Sequence, residues 1–276
     1  MSREPQRAPI TQKTIAYHTP TMNEVTVDRD LIFDETDTHA LTMDIYYPPK
    51  KQEQAPLPAV ILVTGFPDPG FQARMGCRQK EMESYISWAK AIASCGLAAV
   101  TYANKKPAED IHSLLQHLED QASSLGIDPN HLGLWSCSSN VPNALSVLMQ
   151  HRDALKCAVL CYGFMLDLDG STHIAQAAEQ WGFVNPCSGK SLDDLPGNLP
   201  LFIARAGQDE IAHLNTMLDR FMAKALDRNL PVSLVNHQEG PHAFDLMHDS
   251  ETTCQIIRQI LAFLCFQLLG TDKPGS

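Results

Sequence analysis

The sequence has few basic residues for its length. It contains 21 Lys and Arg against 32 Asp and Glu among 276 residues, which gives a formal net charge of −11. Proteins that bind nucleic-acid phosphates or anionic membrane surfaces need clusters of Lys and Arg, and no such cluster stands out here. The composition therefore argues against both partners. Apolar residues make up 44% of the chain, which is typical of a folded globular protein.

Long apolar runs are also missing. No continuous stretch reaches the length of about 18 residues that a membrane-spanning helix needs. Residues 1–6 have no apolar segment of the kind found in secretory signals. We therefore expect a protein that does not span a membrane and that is located in the cytoplasm.

The eight cysteines include no C-x-x-C pair. Cys157, Cys161 and Cys265 lie in apolar stretches, where cysteine behaves as a small hydrophobic residue. In a reducing compartment, we expect all eight to be free thiols.

Sequence motifs for cofactors are absent as well. The sequence contains no H-E-x-x-H, no P-loop and no G-x-G-x-x-G, which are patterns typical of zinc, phosphate and dinucleotide sites. We therefore expect no metal and no cofactor.

What the sequence does contain is a regular alternation of apolar segments. Strands are predicted at 24–33, 41–47, 58–63, 97–102, 131–136, 157–161, 201–206 and 232–235. Helices are predicted at 79–94, 108–125, 141–149, 211–228 and 252–269. Strands that alternate with helices require crossover connections, so the pattern predicts an α/β fold with a doubly wound, mostly parallel sheet.

The domain organisation follows from the same pattern. Residues 21–270 are predicted to form a single domain, with a flexible tail at 1–20 and a short tail at 271–276. Residues 164–199 contain no clear strand and are long for a connection. We expect them to form an insertion over the C-terminal edge of the sheet.

Polar residues capable of chemistry follow three of the predicted strands. Ser138 comes directly after the strand at 131–136, Asp209 follows the strand at 201–206, and His242 follows the strand at 232–235. Ligands of open α/β sheets bind beyond the carboxyl ends of the strands, so these side chains are expected at one edge. A serine nucleophile needs a histidine base, which in turn needs a carboxylate to orient it.

These segments resemble the α/β-hydrolase superfamily, whose catalytic residues occur in the order nucleophile, acid, histidine. The segment 131–140 is similar to its nucleophile elbow, 201–209 to its acid strand, and 240–244 to the histidine loop of its dienelactone-hydrolase-like and esterase branches. Residues 41–49 and 58–66 are similar to the N-terminal hairpin and the oxyanion turn of those branches.

The resemblance, which covers about residues 24–269, implies an eight-stranded sheet and a Ser138–His242–Asp209 triad. It also implies an oxyanion hole made by the backbone N–H groups of Ser139 and Phe66. The elbow departs from the G-x-S-x-G pattern, because Ser136 and Asn140 stand where the family has glycine.

Several alternatives stay open at the level of the sequence. Ser136, Ser139 and Cys137 compete with Ser138 as nucleophile, and Ser138 could equally be a helix N-cap. Glu210 is the alternative acid. The alternative histidines are His237 and His248.

The predicted function is that of a serine hydrolase acting on a small-molecule carboxylic ester, with lactones and thioesters as further substrate classes. Met165, Trp181 and Phe183 of the insertion either line an acyl pocket or pack the insertion onto the domain. Two other functions compete with hydrolysis. One is a catalytically silent protein that binds a small molecule, and the other is a cofactor-free lyase or acyltransferase.

Overall fold

A sheet of eight strands forms the centre of the protein. The computed structural model describes residues 7–36, 39–49, 55–151 and 154–270. The strands are β1 (Thr26–Thr36), β2 (His39–Tyr47), β3 (Leu57–Leu62), β4 (Ala98–Tyr102), β5 (Ile127–Cys137), β6 (Leu155–Cys161), β7 (Leu201–Ala206) and β8 (Val232–His237).

The strand order across the sheet is β1-β2-β4-β3-β5-β6-β7-β8. Strand β2 is antiparallel to both of its neighbours, and the pairs from β4 to β8 are parallel. A short hairpin can join antiparallel strands, whereas parallel neighbours need a longer crossover, usually a helix. The predicted doubly wound, mostly parallel sheet is confirmed.

Helices cover both faces of this sheet. They are α1 (Asp68–Met75), α2 (Glu83–Ser94), α3 (Pro107–Asp120), α4 (Ala122–Leu125), α5 (Val141–Gln150), α6 (His173–Trp181), α7 (Leu214–Asp227), α8 (Phe244–Met247) and α9 (Glu251–Leu269). Short 3-10 turns occur at Pro9–Gln12, Pro20–Asn23, Gln79–Glu81, Ser138–Asn140 and Leu192–Asp194.

Each central strand contributes side chains to two cores. In β3, Ile61 packs in one core with residues of α3, α5 and α7, while Val60 and Leu62 pack in the other with residues of α2 and α9. Because successive strand residues point to opposite faces, a strand covered on both sides must be apolar throughout. This explains why the segment at 58–63 is continuously apolar.

Three element boundaries differ from the prediction. Residues 68–75, for which the sequence predicted no helix, make up helix α1, whose C-terminus is closed by the left-handed Gly76. The helix expected over 79–94 begins only at Glu83, because Met82 has an extended backbone. Strand β5 begins at Ile127, four residues before the start predicted at 131.

Residues 7–20 pack against the domain, although the sequence predicted a flexible tail over 1–20. The side chain of Ile15 is 5% exposed, and the backbone N–H of Ala16 donates to the Asp245 carbonyl at 2.7 Å. The polar composition of this segment suggested a tail. In the structure, the buried Ile15 side chain and backbone hydrogen bonds attach residues 7–20 to the domain. Residues 1–6 and 271–276 of the predicted tails lie outside the described residues.

The insertion at 164–199 contains helix α6 and lies next to the carboxyl end of β3. The N–H of Val184 donates to the Gly65 carbonyl at 2.9 Å, and the Arg74 guanidinium donates to the Trp181 carbonyl at 2.8 Å. These bonds tie the insertion to the turn after β3 and to α1.

Helix α9 is long and apolar enough to cross a membrane when judged by length and composition alone. In the structure its apolar side packs on the sheet, and Ile256, Ile257, Ile260, Leu261 and Leu264 are buried there. One side of α9 is thus part of the core beneath the sheet.

Candidate active site

Three polar side chains from three strand ends form a continuous hydrogen-bonded chain. Ser138 follows β5, Asp209 follows β7, and His242 follows β8. The Ser138 Oγ lies 2.8 Å from Nε2 of His242, and Nδ1 of the same ring lies 2.6 Å from Oδ2 of Asp209. The structure therefore brings together the three residues that the sequence singled out. In this geometry the imidazole can accept the serine proton while the carboxylate holds its other nitrogen.

Ser138 occupies the sharp turn between β5 and α5. Its φ of 54° is in the left-handed region, which is uncommon for a residue other than glycine. Backbone strain of this kind costs about 1–3 kcal/mol and is concentrated at functional sites. The turn presents the hydroxyl towards His242 at the edge of the sheet.

The competing nucleophiles are placed differently. Cys137 has an extended backbone, with φ of −141°, and burial raises the pKa of its thiol to about 12. A thiol with such a high pKa carries almost no thiolate at neutral pH and is a poor nucleophile. Ser136 is fully buried in β5. Ser139 is also buried, and among the described residues no hydrogen bond joins its side chain to an imidazole.

Asp209 is held by the close approach of two loops. Its carboxylate is fully buried, and Oδ1 accepts a hydrogen bond from the N–H of Ile211 at 3.0 Å. The N–H of Gly207 donates to the His237 carbonyl at 2.8 Å. A Cβ at Gly207 would lie 2.5 Å from the Gln238 carbonyl oxygen, so this approach requires glycine. The carboxylate therefore has a fixed direction towards His242.

The imidazole of His242 rests on a buried polar cluster that sequence reasoning missed. The edge of the Tyr162 ring contacts it, with the ring centroids 5.1 Å apart. The Tyr162 hydroxyl donates to Oδ1 of Asp245 at 2.6 Å, and the Trp88 indole N–H donates to Oδ2 at 2.7 Å. Burial raises the pKa of the Asp245 carboxyl. A charged residue just after Phe244 in an apolar stretch was the signal that could have identified this cluster.

The alternative acid and histidines lie away from this chain. Glu210 is exposed. His237 is buried beneath α9, where its Nε2 lies 3.0 Å from the Thr253 hydroxyl, and burial lowers its pKa. His248 lies beside His237, with Nδ1 3.3 Å from the same Nε2.

The predicted oxyanion donors differ in their availability. Ser139 lies in the first turn of the 3-10 segment that leads into α5, where backbone N–H groups lack intrahelical partners. The N–H of Phe66, in contrast, donates to the Gln79 side-chain carbonyl at 3.2 Å. The neighbouring N–H of Gly65 donates to Oδ1 of Asn140 at 2.7 Å. The N–H groups of Gly65 and Phe66 are therefore both engaged by side chains.

Asn140 fits in the elbow with an ordinary backbone, with φ of −87°. Its side chain accepts from Gly65 and donates to the Tyr85 hydroxyl at 3.0 Å. A Cβ on Gly65 would lie 2.9 Å from the Asn140 Cα, so this contact depends on glycine at 65. Where the family pattern has glycine, this protein has Asn140, whose side-chain amide links the Gly65 N–H to the Tyr85 hydroxyl.

A cavity of about 530 Å³ opens beside Ser138 and His242. Aromatic and aliphatic side chains dominate its walls, among them Phe66, Phe71, Met82, Tyr85, Trp88, Trp135, Trp181, Ile211 and Leu246. Such apolar walls with a few polar groups are typical of small-molecule sites.

Of the three predicted pocket residues, Trp181 lines the cavity and the other two do not. Met165 is fully buried in the core on the opposite side of the sheet. Phe183 stands behind the wall and packs on Phe66, with ring centroids 5.9 Å apart. Apolarity in the insertion was the only signal, and it does not distinguish a cavity wall from the packing behind it.

No cluster suited to a metal ion is found within the part of the chain that the structure describes. The eight cysteines, all among the described residues, are free thiols.

Comparison with known proteins gives matches only at the level of structure. No protein-family model matches the sequence, and no curated protein matches it significantly. One of two fungal esterases from Rhizomucor miehei matches with a TM-score of 0.68 and 17% identity, over 89% of this chain and 84% of the other. A bacterial heroin esterase matches with a TM-score of 0.66 and 14% identity, over 90% and 86%.

An archaeal protein extends this set. A hyperthermophilic esterase from Pyrobaculum calidifontis matches with a TM-score of 0.62 and 16% identity, over 92% of this chain and 85% of the other. At such low identities the similarity establishes the fold and not the activity. Together with the strand order, these matches show that the protein has the α/β-hydrolase fold.

Proposed function

We propose that the protein is a serine hydrolase that cleaves carboxylic esters through an acyl-enzyme intermediate. The observation that carries the proposal is the hydrogen-bonded chain from Ser138 through His242 to Asp209 at the mouth of an apolar cavity. A serine hydroxyl is a weak nucleophile, and an imidazole at 2.8 Å is in position to remove its proton.

The proposed reaction has two halves. The Ser138 Oγ attacks the ester carbonyl while His242 takes its proton, and the tetrahedral intermediate collapses as His242 returns that proton to the leaving alcohol. In the second half, His242 takes a proton from water, the water attacks the acyl-enzyme, and the carboxylic acid is released from Ser138. Asp209 keeps the imidazole in the required tautomer and stabilises its protonated form.

The cavity supports an ester with an apolar acyl or alcohol group. Its walls are mainly aromatic and aliphatic, and among the described residues that line it Arg74 is the one with a full positive charge. Lactones and thioesters undergo the same acyl transfer and are further candidate substrates. Membership of the dienelactone-hydrolase-like branch is the narrower form of the proposal, and it rests on the similarity of residues 240–244, 41–49 and 58–66.

A fluorophosphonate probe tests the proposal directly, since it reacts with an activated serine. We expect a single adduct on Ser138, located by intact mass and peptide mapping. Ser138→Ala and His242→Ala should lose both the adduct and about 10⁶-fold of ester hydrolysis. Ser188→Ala, which changes an exposed serine, is the matched control and should keep both. An iodoacetamide adduct on Cys137 in place of the Ser138 adduct would contradict the assignment.

One observation favours a second function, a silent binding protein. The N–H groups of Gly65 and Phe66 are already engaged, and a hydrolase needs donors for the developing oxyanion. A folded protein that gives no adduct and no hydrolysis would support this alternative. Products formed with added alcohols or amines would instead indicate an acyltransferase, and cleavage without water uptake would indicate a lyase.

We infer a cytoplasmic location, because eight free thiols suit a reducing compartment. The cavity suits a small-molecule substrate, and because the net charge is acidic we propose neither a nucleic acid nor a membrane as partner. Fractionation of cells that express the full chain would test the location.

A further inference from the structure

We propose that the Gln79 side chain occupies the oxyanion donor at Phe66 in the resting protein, so that a substrate carbonyl must displace it. Gln79 would then be a residue that sets the affinity of the site for its substrate. The inference rests on the proposed function, since it concerns the donors that an acyl-transfer reaction uses. It starts from one contact, the 3.2 Å hydrogen bond from the Phe66 N–H to Oε1 of Gln79.

The orientation of the amide is determined by its neighbours. A backbone N–H can only donate, so Phe66 requires the oxygen of Gln79 and Gly65 requires the oxygen of Asn140. Nε2 of Gln79 then donates to Oδ1 of Asn140 at 3.0 Å. Flipping the Gln79 amide would place an NH₂ group against the Phe66 N–H. The network is therefore satisfied in one arrangement only.

The same network continues away from the cavity. Nδ2 of Asn140 donates to the Tyr85 hydroxyl at 3.0 Å, and this hydroxyl lies 3.2 Å from the Val63 carbonyl that accepts its proton. Each donor group named here has an acceptor. Gln79 is thus part of a cooperative chain and not a chance contact.

The backbone that carries Gln79 is firmly anchored. The N–H of Gln79 donates to the buried Asp68 carboxylate at 3.4 Å. The next residue, Lys80, is itself buried and forms ion pairs with Asp44 at 2.7 Å and with Asp30 at 2.9 Å. Since the backbone is held, the amide can leave Phe66 only by rotation of its own side-chain torsions, and it borders the cavity into which it can turn.

The Gln79 hydrogen bond must be broken before either the bound substrate or the transition state can use the Phe66 N–H, so its occupation weakens the binding of both. A ground-state ester carbonyl is a weaker acceptor than an amide oxygen, whereas a developing oxyanion is a much stronger one. Displacement of Gln79 is therefore unfavourable when the substrate binds and favourable as charge develops. A net hydrogen bond is worth about 0.5–1.5 kcal/mol, which corresponds to about 2- to 12-fold in affinity.

Two substitutions of Gln79 test the proposal, because they should change KM in opposite directions. Gln79→Met keeps the length of the side chain but removes its acceptor, so KM for p-nitrophenyl butyrate should fall about 3- to 10-fold with kcat changed less than about 2-fold. Gln79→Glu keeps a stronger acceptor on Phe66 and should raise KM. Gln72→Met changes an exposed glutamine of α1 and is the matched control.

A readout that does not depend on activity accompanies the kinetics. Hydrogen exchange of the Phe66 amide, followed by NMR, should be about 3- to 10-fold faster in Gln79→Met than in Gln72→Met. Equal exchange in the two variants would overturn the proposal. A decrease in catalytic efficiency by about 10-fold or more in folded Gln79→Met would overturn it too, because Gln79 would then assist the reaction.

Failure of the proposed function would look different. If wild-type protein gives no fluorophosphonate adduct and no hydrolysis, the hydrolase proposal fails, while the exchange measurement still decides whether Gln79 occupies the Phe66 donor. If the adduct forms and the Gln79→Met kinetics equal those of the control, the hydrolase proposal stands and the present one falls.

Discussion

At the scale of single residues, three of the seven non-glycine residues with positive φ among the described residues lie at the candidate site. Ser138, Tyr162 and Ala243 have φ values of 54°, 36° and 54°. Positive φ in a residue as bulky as tyrosine is a genuine outlier. The Tyr162 N–H is fixed by the Ala204 carbonyl at 2.6 Å, and its hydroxyl is fixed by Asp245. The surrounding contacts thus hold Tyr162 against the His242 ring.

Asp245 makes stability depend on pH. Burial raises the pKa of its carboxyl, so the folded protein binds this proton more tightly than the unfolded chain does. Its contribution is complete below the unfolded pKa of about 3.9 and is lost as pH rises through the higher folded pKa. Each unit of pKa difference corresponds to about 1.4 kcal/mol.

Asp245→Asn should remove this dependence. The amide oxygen can accept from Trp88, and its NH₂ can donate to a reversed Tyr162 hydroxyl, so the bonds survive. Urea unfolding between pH 4 and 8 should show a flatter decline with pH than in wild type. Asp249→Asn, at an exposed position, is the control. Parallel curves for wild type and Asp245→Asn would contradict the prediction.

Asn140 can be tested by restoring the glycine of the elbow pattern. Asn140→Gly leaves the Gly65 N–H, the Gln79 amide and the Tyr85 hydroxyl each without one partner. We expect the free energy of unfolding to fall by about 1–3 kcal/mol, measured by chemical denaturation. Asn130→Gly, at an exposed position in β5, should cost less than about 1 kcal/mol. A gain in stability in Asn140→Gly would refute this account.

At the scale of elements, a buried lysine attaches the segment before α2 to the sheet. The side chain of Lys80 is 2% exposed and pairs with Asp44 of β2, which is 5% exposed. Asp30 joins them from a bulge in β1, where the register shifts and φ is 53°. The bulge lets the N–H of Asp30 donate to the Asp44 carboxylate at 2.9 Å.

Removing one partner of this buried pair should be costly. Lys80→Met leaves the Asp44 carboxylate without its buried cation and should lower the free energy of unfolding by about 3–5 kcal/mol. The double variant Lys80→Met/Asp44→Asn should recover part of that loss, because no charge is then buried alone. Lys13→Met, at an exposed position, is the control. A loss below about 1 kcal/mol in Lys80→Met would show that the pair contributes little.

At the scale of the whole molecule, the N-terminal segment closes one side of the structure. The N–H of Ala8 donates to the Met75 carbonyl at 2.9 Å, and the N–H of Ile15 donates to the Ser87 hydroxyl at 3.1 Å. Ile10 forms part of the cavity wall. With the hydrogen bond from Ala16 to Asp245, the segment therefore connects α1, α2 and α8, which are distant from it in sequence.

Truncation of the buried anchor in this segment tests its role. Ile15→Ala should reduce the free energy of unfolding by about 2–4 kcal/mol, since it removes buried methyl groups and leaves a cavity. Thr14→Ala, next to it and exposed, should change stability by less than about 0.5 kcal/mol. Equal midpoints in thermal denaturation of the two variants would mean that the segment does not contribute to the fold.

The order of strands and helices could be predicted from the sequence because it depends on local patterns. Continuous apolar strands such as 58–63 indicate burial on both faces, and a parallel sheet brings the carboxyl ends of its strands to one edge. For that reason Ser138, Asp209 and His242 could be assigned to the same edge before any contact was known. The helix boundary near residues 79–94 and the packing of residues 7–20 could not be predicted from the sequence, because both depend on contacts with other elements.

The tertiary structure alone decided which groups surround that edge. Gln79 lies 13 residues from Phe66 and 61 from Asn140, and Asp245 lies 83 residues from Tyr162. Sequence patterns reveal which residues are apolar and where elements end. They do not reveal which polar side chains meet across the fold, because hydrogen bonds depend on distances and directions of a few tenths of an ångström that only the packed elements set.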